Sequence, residues 1–165
     1  MHSLAVLNYG HNGNQKGELM FGMFKKLKGA GADLANKSIK AENKDLMEAM
    51  VCAAALIAYA DGELEDEEVE KISKIIDSSK ALAAFGNEPH QYFDEQCKAL
   101  EASYRMGRLD VMKEIADCKG NKDEAEMVLI MAIEVAFADG ELEPDEEKEL
   151  KVIATKLGLR LEDYL

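Results

Sequence analysis

Two short acidic segments hold the residues of this chain that are best suited to chemistry. The hexapeptide Ala-Asp-Gly-Glu-Leu-Glu occurs at 60–65 and again at 138–143, each time directly after a long apolar run. Carboxylate oxygens are the ligands that Ca²⁺, Mg²⁺ and Mn²⁺ prefer. The sequence therefore predicts one or two sites for a divalent cation. The acids of the two segments are Asp61, Glu63, Glu65, Asp66, Glu67, Glu68 and Glu70, and Asp139, Glu141, Glu143, Asp145, Glu146, Glu147 and Glu149.

The spacing from Asp61 to Glu68 matches the second half of an EF-hand loop, with Asp61 at loop position 5 and Glu68 at position 12. Positions 1 and 3 would fall on Ile57 and Tyr59, which offer no carboxylate. A cation that takes six to eight oxygens would then need waters or the other turn to complete its shell. A pseudo-two-fold arrangement would bring the candidate ligands together. These are Asp61, Glu68, Asp139 and Glu146.

The same acids also have a purely structural interpretation. Glu68 and Glu146 fall near the third position of a predicted helix, where a side chain can bond back to the N-cap amide. Asp61 and Asp139 lie at the C-terminal end of a predicted helix, which disfavours anions. Either the N-terminal amides of the next helix or a bound cation must compensate them. The sequence leaves both interpretations open.

Two apolar runs, 50–60 and 127–138, predict the helices that must position these turns. Both are apolar almost all round, which is typical of helices buried on every side. Gly62 and Gly140 are placed to end them, because a left-handed residue after a helix is commonly Gly. Glu134 interrupts the second run, so it lies either at a solvated edge or as a buried carboxylate that needs a partner.

The pattern along the chain predicts an all-α fold, a compact bundle of about seven helices with an internal pseudo-two-fold repeat. There are only two prolines and no strong strand alternation. We expect 1–19 to be a loose N-terminal extension and 20–165 to be the helical domain. The repeat units are about 46–79 and 124–157. The predicted helices begin at Met20 and then span about 44–60, 66–79, 88–106, 108–118, 123–138 and 144–157.

Composition excludes several classes of function. A net charge of −13 disfavours binding to nucleic-acid phosphates and is compatible with cations or a basic partner. Three dispersed cysteines fit a reducing cytosol better than a disulfide framework. The longest apolar stretch has eleven residues, and no secretory signal pattern is visible, so we expect a soluble intracellular protein.

A basic segment precedes the acidic body. Residues 16–44 contain seven lysines and three acids, a local excess of +4. Apolar residues at 20, 23, 24 and 27 have the spacing of one helix face. This helix would touch anionic lipid or a partner, or its apolar face would pack on the bundle while its lysines meet the acidic surface. The candidate contact residues are Met20, Phe24, Lys25, Lys26 and Lys28.

The chain resembles the TerB family of tellurite-resistance proteins, including TerB-like domains. The resemblance rests on the FKKLKG opening (24–29), the two units of apolar helix, Asp-Gly turn and acidic helix, and the closing LGLRLEDY segment (157–164). It implies an all-helical fold of two pseudo-symmetric halves and a cytoplasmic role in stress response, with a TerC-like membrane protein and calcium-binding TerD-like proteins as partners. The acids that it implies as metal ligands are Asp61, Glu68, Asp139 and Glu146, with Glu67 and Asp145 as adjacent alternatives.

The residues favour two functional hypotheses. The first is a non-enzymatic cytoplasmic scaffold, located at the inner face of the membrane if its basic segment binds lipid, whose acidic turns bind Ca²⁺, Mg²⁺ or Mn²⁺. The second is a metal-free adaptor whose acidic face docks a basic partner protein directly. Neither a Ser-His-Asp constellation nor a phosphate-binding glycine loop occurs in the sequence, and we expect no enzymatic activity.

Overall fold

A computed structural model describes residues 43–165, which form six α-helices. The all-α prediction is confirmed, and the part of the chain described contains no strand. The helix predicted from Met20, the extension 1–19 and the basic segment up to residue 42 lie outside the described residues. The helices are α1 (Lys44–Ala58), α2 (Asp66–Ser78), α3 (Glu88–Ala102), α4 (Tyr104–Asp117), α5 (Lys122–Ala136) and α6 (Pro144–Leu157), with single 3₁₀ turns at Ala83–Phe85, Cys118–Gly120 and Leu161–Asp163.

The core forms where α1 and α5 pack against each other. Helix α1 is buried along its length from Leu46 to Ile57, apart from Glu48, as the apolar run predicts. Small side chains at Ala53, Ala54 and Ala55 let its neighbours approach closely. Helices α3, α4 and α6 also pack on α1, so it lies at the centre of the described bundle.

The expectation that α5 is buried on every side is wrong. Most of its residues from Ala125 to Ala136 are buried, but Ile130 and Glu134 are exposed on its outer face. The solvated-edge interpretation of Glu134 is therefore confirmed. Among the described helices α5 packs mainly on α1, α2 and α6, and these leave one side of it uncovered.

The boundary between α3 and α4 lies at Ser103, earlier in the chain than predicted. Ser103 has an extended backbone (φ −156°, ψ 95°), which ends α3 at Ala102 and begins α4 at Tyr104. The sequence places the break near Gly107, but this glycine lies inside α4. A Cβ there would come within 3.0 Å of the backbone of Ala99 in α3, so Gly107 permits close packing of two helices.

Two units of the chain share the same element bounds, displaced by 78 residues. Helix α1 begins at 44 and ends at 58, and α5 begins at 122 and ends at 136. Helix α2 begins at 66 and α6 at 144, and the 3₁₀ turns at 83–85 and 161–163 keep the same displacement. The units thus have matching local structure, and a two-fold rotation between them stays a prediction.

None of the helices in residues 43–165 combines the length and the hydropathy needed to cross a bilayer.

Candidate cation site

Each acidic turn connects an apolar helix to an amphipathic one through a glycine, whose backbone adopts a conformation that other residues avoid. Gly62 has φ +90° and Gly140 has φ +91°, in the left-handed region that L-residues with side chains avoid. The chain leaves each helix earlier than predicted: α1 ends at Ala58 with Tyr59 as its C-cap, so Gly62 lies three residues beyond the cap. The glycines therefore shape the turns that follow the helices and do not terminate the helices themselves.

Both turns end in the same cap. The Glu65 amide donates to Glu68 Oε2 at 2.9 Å, and the Glu143 amide donates to Glu146 Oε2 at 3.0 Å. The side chains of Glu65 and Glu143 accept in return from the amide at the third helical position, which completes a capping box in each unit. The structural interpretation of Glu68 and Glu146 is confirmed, but a carboxylate can accept further bonds through its other oxygen.

The two turns open onto one pocket. The four main candidate ligands all line it: Asp61 and Glu68 from the first turn, and Asp139 and Glu146 from the second. Its apolar side is formed by residues of α1, α2 and α5 and by one residue just after α5: Ile57, Ala58, Ile72, Val135 and Ala138. The volume is about 30 Å³, enough for an ion with a water molecule or two.

The remaining candidates lie outside the pocket lining. Glu67 is on the exposed side of α2, where its carboxylate lies 3.5 Å from the ammonium of Lys71. Asp145 is exposed in the first turn of α6. The contact candidates Met20, Phe24, Lys25, Lys26 and Lys28 fall outside the described residues.

A lysine occupies the position where a cation would be expected. The Lys71 ammonium, from α2 of the first unit, donates to Asp139 Oδ1 in the turn of the second unit. This contact, followed by the charge of Asp139 and the weaker contact with Glu67, raises the pKa of Lys71. Asp139 is thus compensated by a side-chain cation, a solution that the sequence interpretation missed.

Asp61 is compensated differently. Its Oδ1 accepts a hydrogen bond from the Glu63 amide at 3.0 Å, within its own turn. The compensating group is therefore a turn amide, although the sequence favoured either the amides of the next helix or a bound cation. The two aspartates occupy equivalent positions, yet one is held by the backbone and the other by a lysine.

The negative charges of the two turns act on each other. Burial of the Glu146 carboxyl raises its pKa, and the hydrogen bond from the Glu143 amide partly counters this. The charges of Glu143, Asp139 and Asp61 raise it further. Since Asp61 belongs to the other turn, the pKa of Glu146 responds to both turns at once.

Two further acids of the second turn, Glu141 and Glu143, also line the pocket, although the sequence analysis does not place them among the candidate ligands. The signal for Lys71 was available, because the 78-residue displacement aligns it with Glu149 and so marks a change of charge sign between the units.

Within residues 43–165 no group of three or more His, Cys, Asp or Glu side chains is arranged closely enough to hold a metal ion. The carboxylates share a pocket, but they are not gathered into a preformed ligand set.

The comparisons with known proteins identify the family of the chain. The model of a protein family described as "Tellurite resistance protein TerB" matches residues 47–165. Neither a curated protein nor a solved structure matched the chain. The matched region contains both acidic turns and the pocket between them, and by this match over most of its length the chain belongs to the TerB family of tellurite resistance proteins.

Proposed function

We propose that the pocket between the two turns binds a divalent cation. The observation that carries this proposal is that Asp61, Glu68, Asp139 and Glu146 line one pocket although the two turns are far apart in the chain. Like charges brought together repel each other unless a cation compensates them. A doubly charged ion would relieve this repulsion more than the single ammonium of Lys71 does.

Binding would require Lys71 to leave Asp139. Its side chain is partly exposed, and its flexible stem can carry the ammonium into solvent, where the side chain regains rotamer freedom. The carboxylates of Asp139 and Asp61 would then face the ion. Glu68 and Glu146 would keep their capping bonds through Oε2 and ligate through Oε1 or through water.

Oxygen ligands favour Ca²⁺, Mg²⁺ or Mn²⁺. Because the pocket is open and the protein supplies few oxygens at ligand distance, waters would fill part of the shell. Ca²⁺ tolerates such irregular geometry, and Mg²⁺ commonly retains several waters. We therefore expect weak binding, in the range in which a cation acts as a signal and not as a permanent structural part.

The biological role proposed for this site is that of a cytoplasmic, non-enzymatic scaffold in tellurite resistance and stress response. Membership of the TerB family supports the general assignment. Cation binding would neutralise the turns and change the surface offered to partners, which we propose to be a TerC-like membrane protein and TerD-like proteins. The pocket has room for an ion with a water molecule or two.

Calorimetric titration of chelator-stripped protein with Ca²⁺, Mg²⁺, Mn²⁺ and Zn²⁺ tests the proposal. The test variant is Asp61→Asn/Asp139→Asn. The control Asp94→Asn/Asp110→Asn removes the same charge from surface residues paired with Lys98 and Lys113. We expect saturable binding by wild type and control, loss in the test variant, and about 2.7 kcal/mol of added stability at 100 times the dissociation constant. Absence of heat and of a thermal shift at millimolar metal would contradict the proposal.

A second candidate function is a metal-free adaptor that docks a basic partner protein. The observation favouring it is that the pocket already accommodates an ammonium, that of Lys71, against Asp139. A lysine from a partner would make the same contact. Pull-down of a basic partner separates the two functions: sensitivity to chelator at constant ionic strength favours the cation, whereas sensitivity to salt alone favours direct docking.

A further inference from the structure

The outer face of α5 carries apolar side chains that no described helix covers. Ile130 and Phe137 are each 42% exposed, and Met127 is partly buried on the same side. Glu134 lies between them and is exposed. The four positions 127, 130, 134 and 137 follow the spacing of one helical face. We refer to them as the outer α5 face.

The equivalent face of α1 is closed. Displacement by 78 residues aligns Ile130 with Cys52 and Glu134 with Leu56, and both α1 residues have 0% exposure. Helix α3 covers this side, since Cys52 Sγ donates to Tyr92 Oη at 3.8 Å. Helix α4 packs on α1 as well. Equivalent helix positions are therefore buried in the first unit and exposed to solvent in the second.

The difference arises from the neighbours and not from the helices themselves. Among the described elements, α5 makes no extensive contact with α3 or α4. A bare apolar face next to a helix that is covered at the same register indicates that a further segment is needed to complete the bundle.

We propose that residues 20–27 of this chain cover the outer α5 face, with Phe24 and Leu27 packed against Ile130 and Phe137. The apolar residues from Met20 to Leu27 have the spacing that one contact face requires.

Charge complementarity selects this occupant over other apolar segments. Residues 16–44 carry +4, and since the whole chain carries −13, the rest carries −17. Lys25, Lys26 and Lys28 flank the apolar positions in the sequence, and Glu134 stands between the exposed apolar residues of α5. With the helical spacing of this segment Lys28 lies one turn after Phe24, so it is the lysine that would meet Glu134 once Phe24 and Leu27 are docked.

The connection is long enough for this docking. Sixteen residues, 28–43, separate Leu27 from the start of α1. Fully extended, they would span about 55 Å. Helix α1 with its fifteen residues is about 22 Å long, and α5 packs directly on it. The linker therefore reaches any part of the outer α5 face without displacing a described helix.

Cross-linking in the full chain tests the proposal while leaving the apolar anchors intact. Cysteines are introduced as Lys28→Cys/Glu134→Cys, and the protein is treated with a short bis-maleimide. The control Lys28→Cys/Lys113→Cys uses an exposed residue of α4. The three native cysteines are buried and react slowly. We expect an intramolecular product that forms about tenfold faster than in the control, because docking raises the effective concentration of the pair.

Adding Phe24→Glu/Leu27→Glu to the test pair must abolish this product, and hydrogen exchange of α1 in that variant shows whether the described bundle remains folded. Equal rates in test pair and control would overturn the proposal. So would an intermolecular product, which would assign the outer α5 face to a second copy of the chain. A missing cross-link together with Phe24-dependent binding to phosphatidylserine vesicles would assign the segment to a membrane instead.

Discussion

The first and second acidic turns have the same backbone and different surroundings. Their glycines agree in φ to within one degree, and their capping boxes have nearly equal lengths. The first turn contributes two carboxylates to the pocket and is followed by Lys71, whereas the second contributes four carboxylates. Local sequence thus fixes the shape of each turn, and the residue facing it from elsewhere in the fold decides its charge balance.

The position that distinguishes the units most is the one shared by Lys71 and Glu149. Lys71 extends from α2 to Asp139 of the other unit. Glu149 turns inward, is 9% exposed, and accepts two bonds from the Arg108 guanidinium of α4 at 3.1 and 3.2 Å. One copy of the position therefore links α2 to the second turn, and the other links α6 to α4.

The largest expected difference between the units concerns Leu56 and Glu134, which share a register position. Leu56→Ala leaves a cavity in the centre of α1 and should lower the free energy of unfolding by about 2–5 kcal/mol. Glu134→Ala should change it by no more than about 0.5 kcal/mol. Urea denaturation of both variants measures the contrast, and similar losses would show that α5 is as enclosed as α1.

The next effect is at the Arg108–Glu149 pair. Arg108→Met would leave the carboxylate of Glu149 partly buried without its bidentate partner. The side chain of Arg108 is 32% exposed, so the free energy of unfolding should fall by about 1–3 kcal/mol, less than for a fully buried pair. Lys71 is more exposed, so Lys71→Met should lower the free energy of unfolding by less. If chemical denaturation shows a larger decrease for Lys71→Met, the contact of Lys71 with the second turn, and not the α4–α6 contact, holds the units together.

Gly62→Ala and Gly140→Ala should destabilise the protein equally, by about 1–2 kcal/mol each. A Cβ at either position meets no atom within 4 Å, so the expected loss comes only from the left-handed backbone. Gly120→Ala is the control, because its surroundings are equally open and its φ is not in that region. Unequal values for Gly62 and Gly140 in urea titrations would reveal that one turn can relax and the other cannot.

The smallest effect is a pH dependence at Glu146. Its raised pKa means that the folded state binds the proton more tightly than the unfolded state does. The resulting stabilisation is present below the ordinary pKa of Glu, about 4.3, and is lost as the pH rises through the folded-state value. Glu146→Gln keeps a side chain suited to the capping box and lacks this loss.

The stability of Glu146→Gln relative to wild type should therefore increase as the pH rises from about 4 towards 7. Thermal unfolding across this range measures the difference. Glu68→Gln, which changes the equivalent box, is the matched control. A difference that stayed flat or decreased with pH would contradict the influence of Asp61, Asp139 and Glu143 on this carboxyl.

Sequence patterns predicted the features that depend on local interactions. The six described helices, the capping roles of Glu68 and Glu146 and the solvated position of Glu134 follow from periodicity and helix-end chemistry. The break between α3 and α4 was predicted at residue 107 and lies at Ser103, because a glycine that permits helix packing has the same local signature as one that ends a helix. The Lys71–Asp139 contact was missed because it joins residues 68 positions apart, which no local pattern encodes.

The burial of the three cysteines also has a practical consequence. Cys52, Cys97 and Cys118 are all enclosed by the core, and burial raises the pKa of each thiol to about 12. Only the thiolate reacts readily, so alkylation at neutral pH must wait until the surrounding structure opens. The three cysteines lie in α1, in α3 and just before α5. Their separate labelling rates would therefore report which part of the protein opens first, without any introduced cysteine.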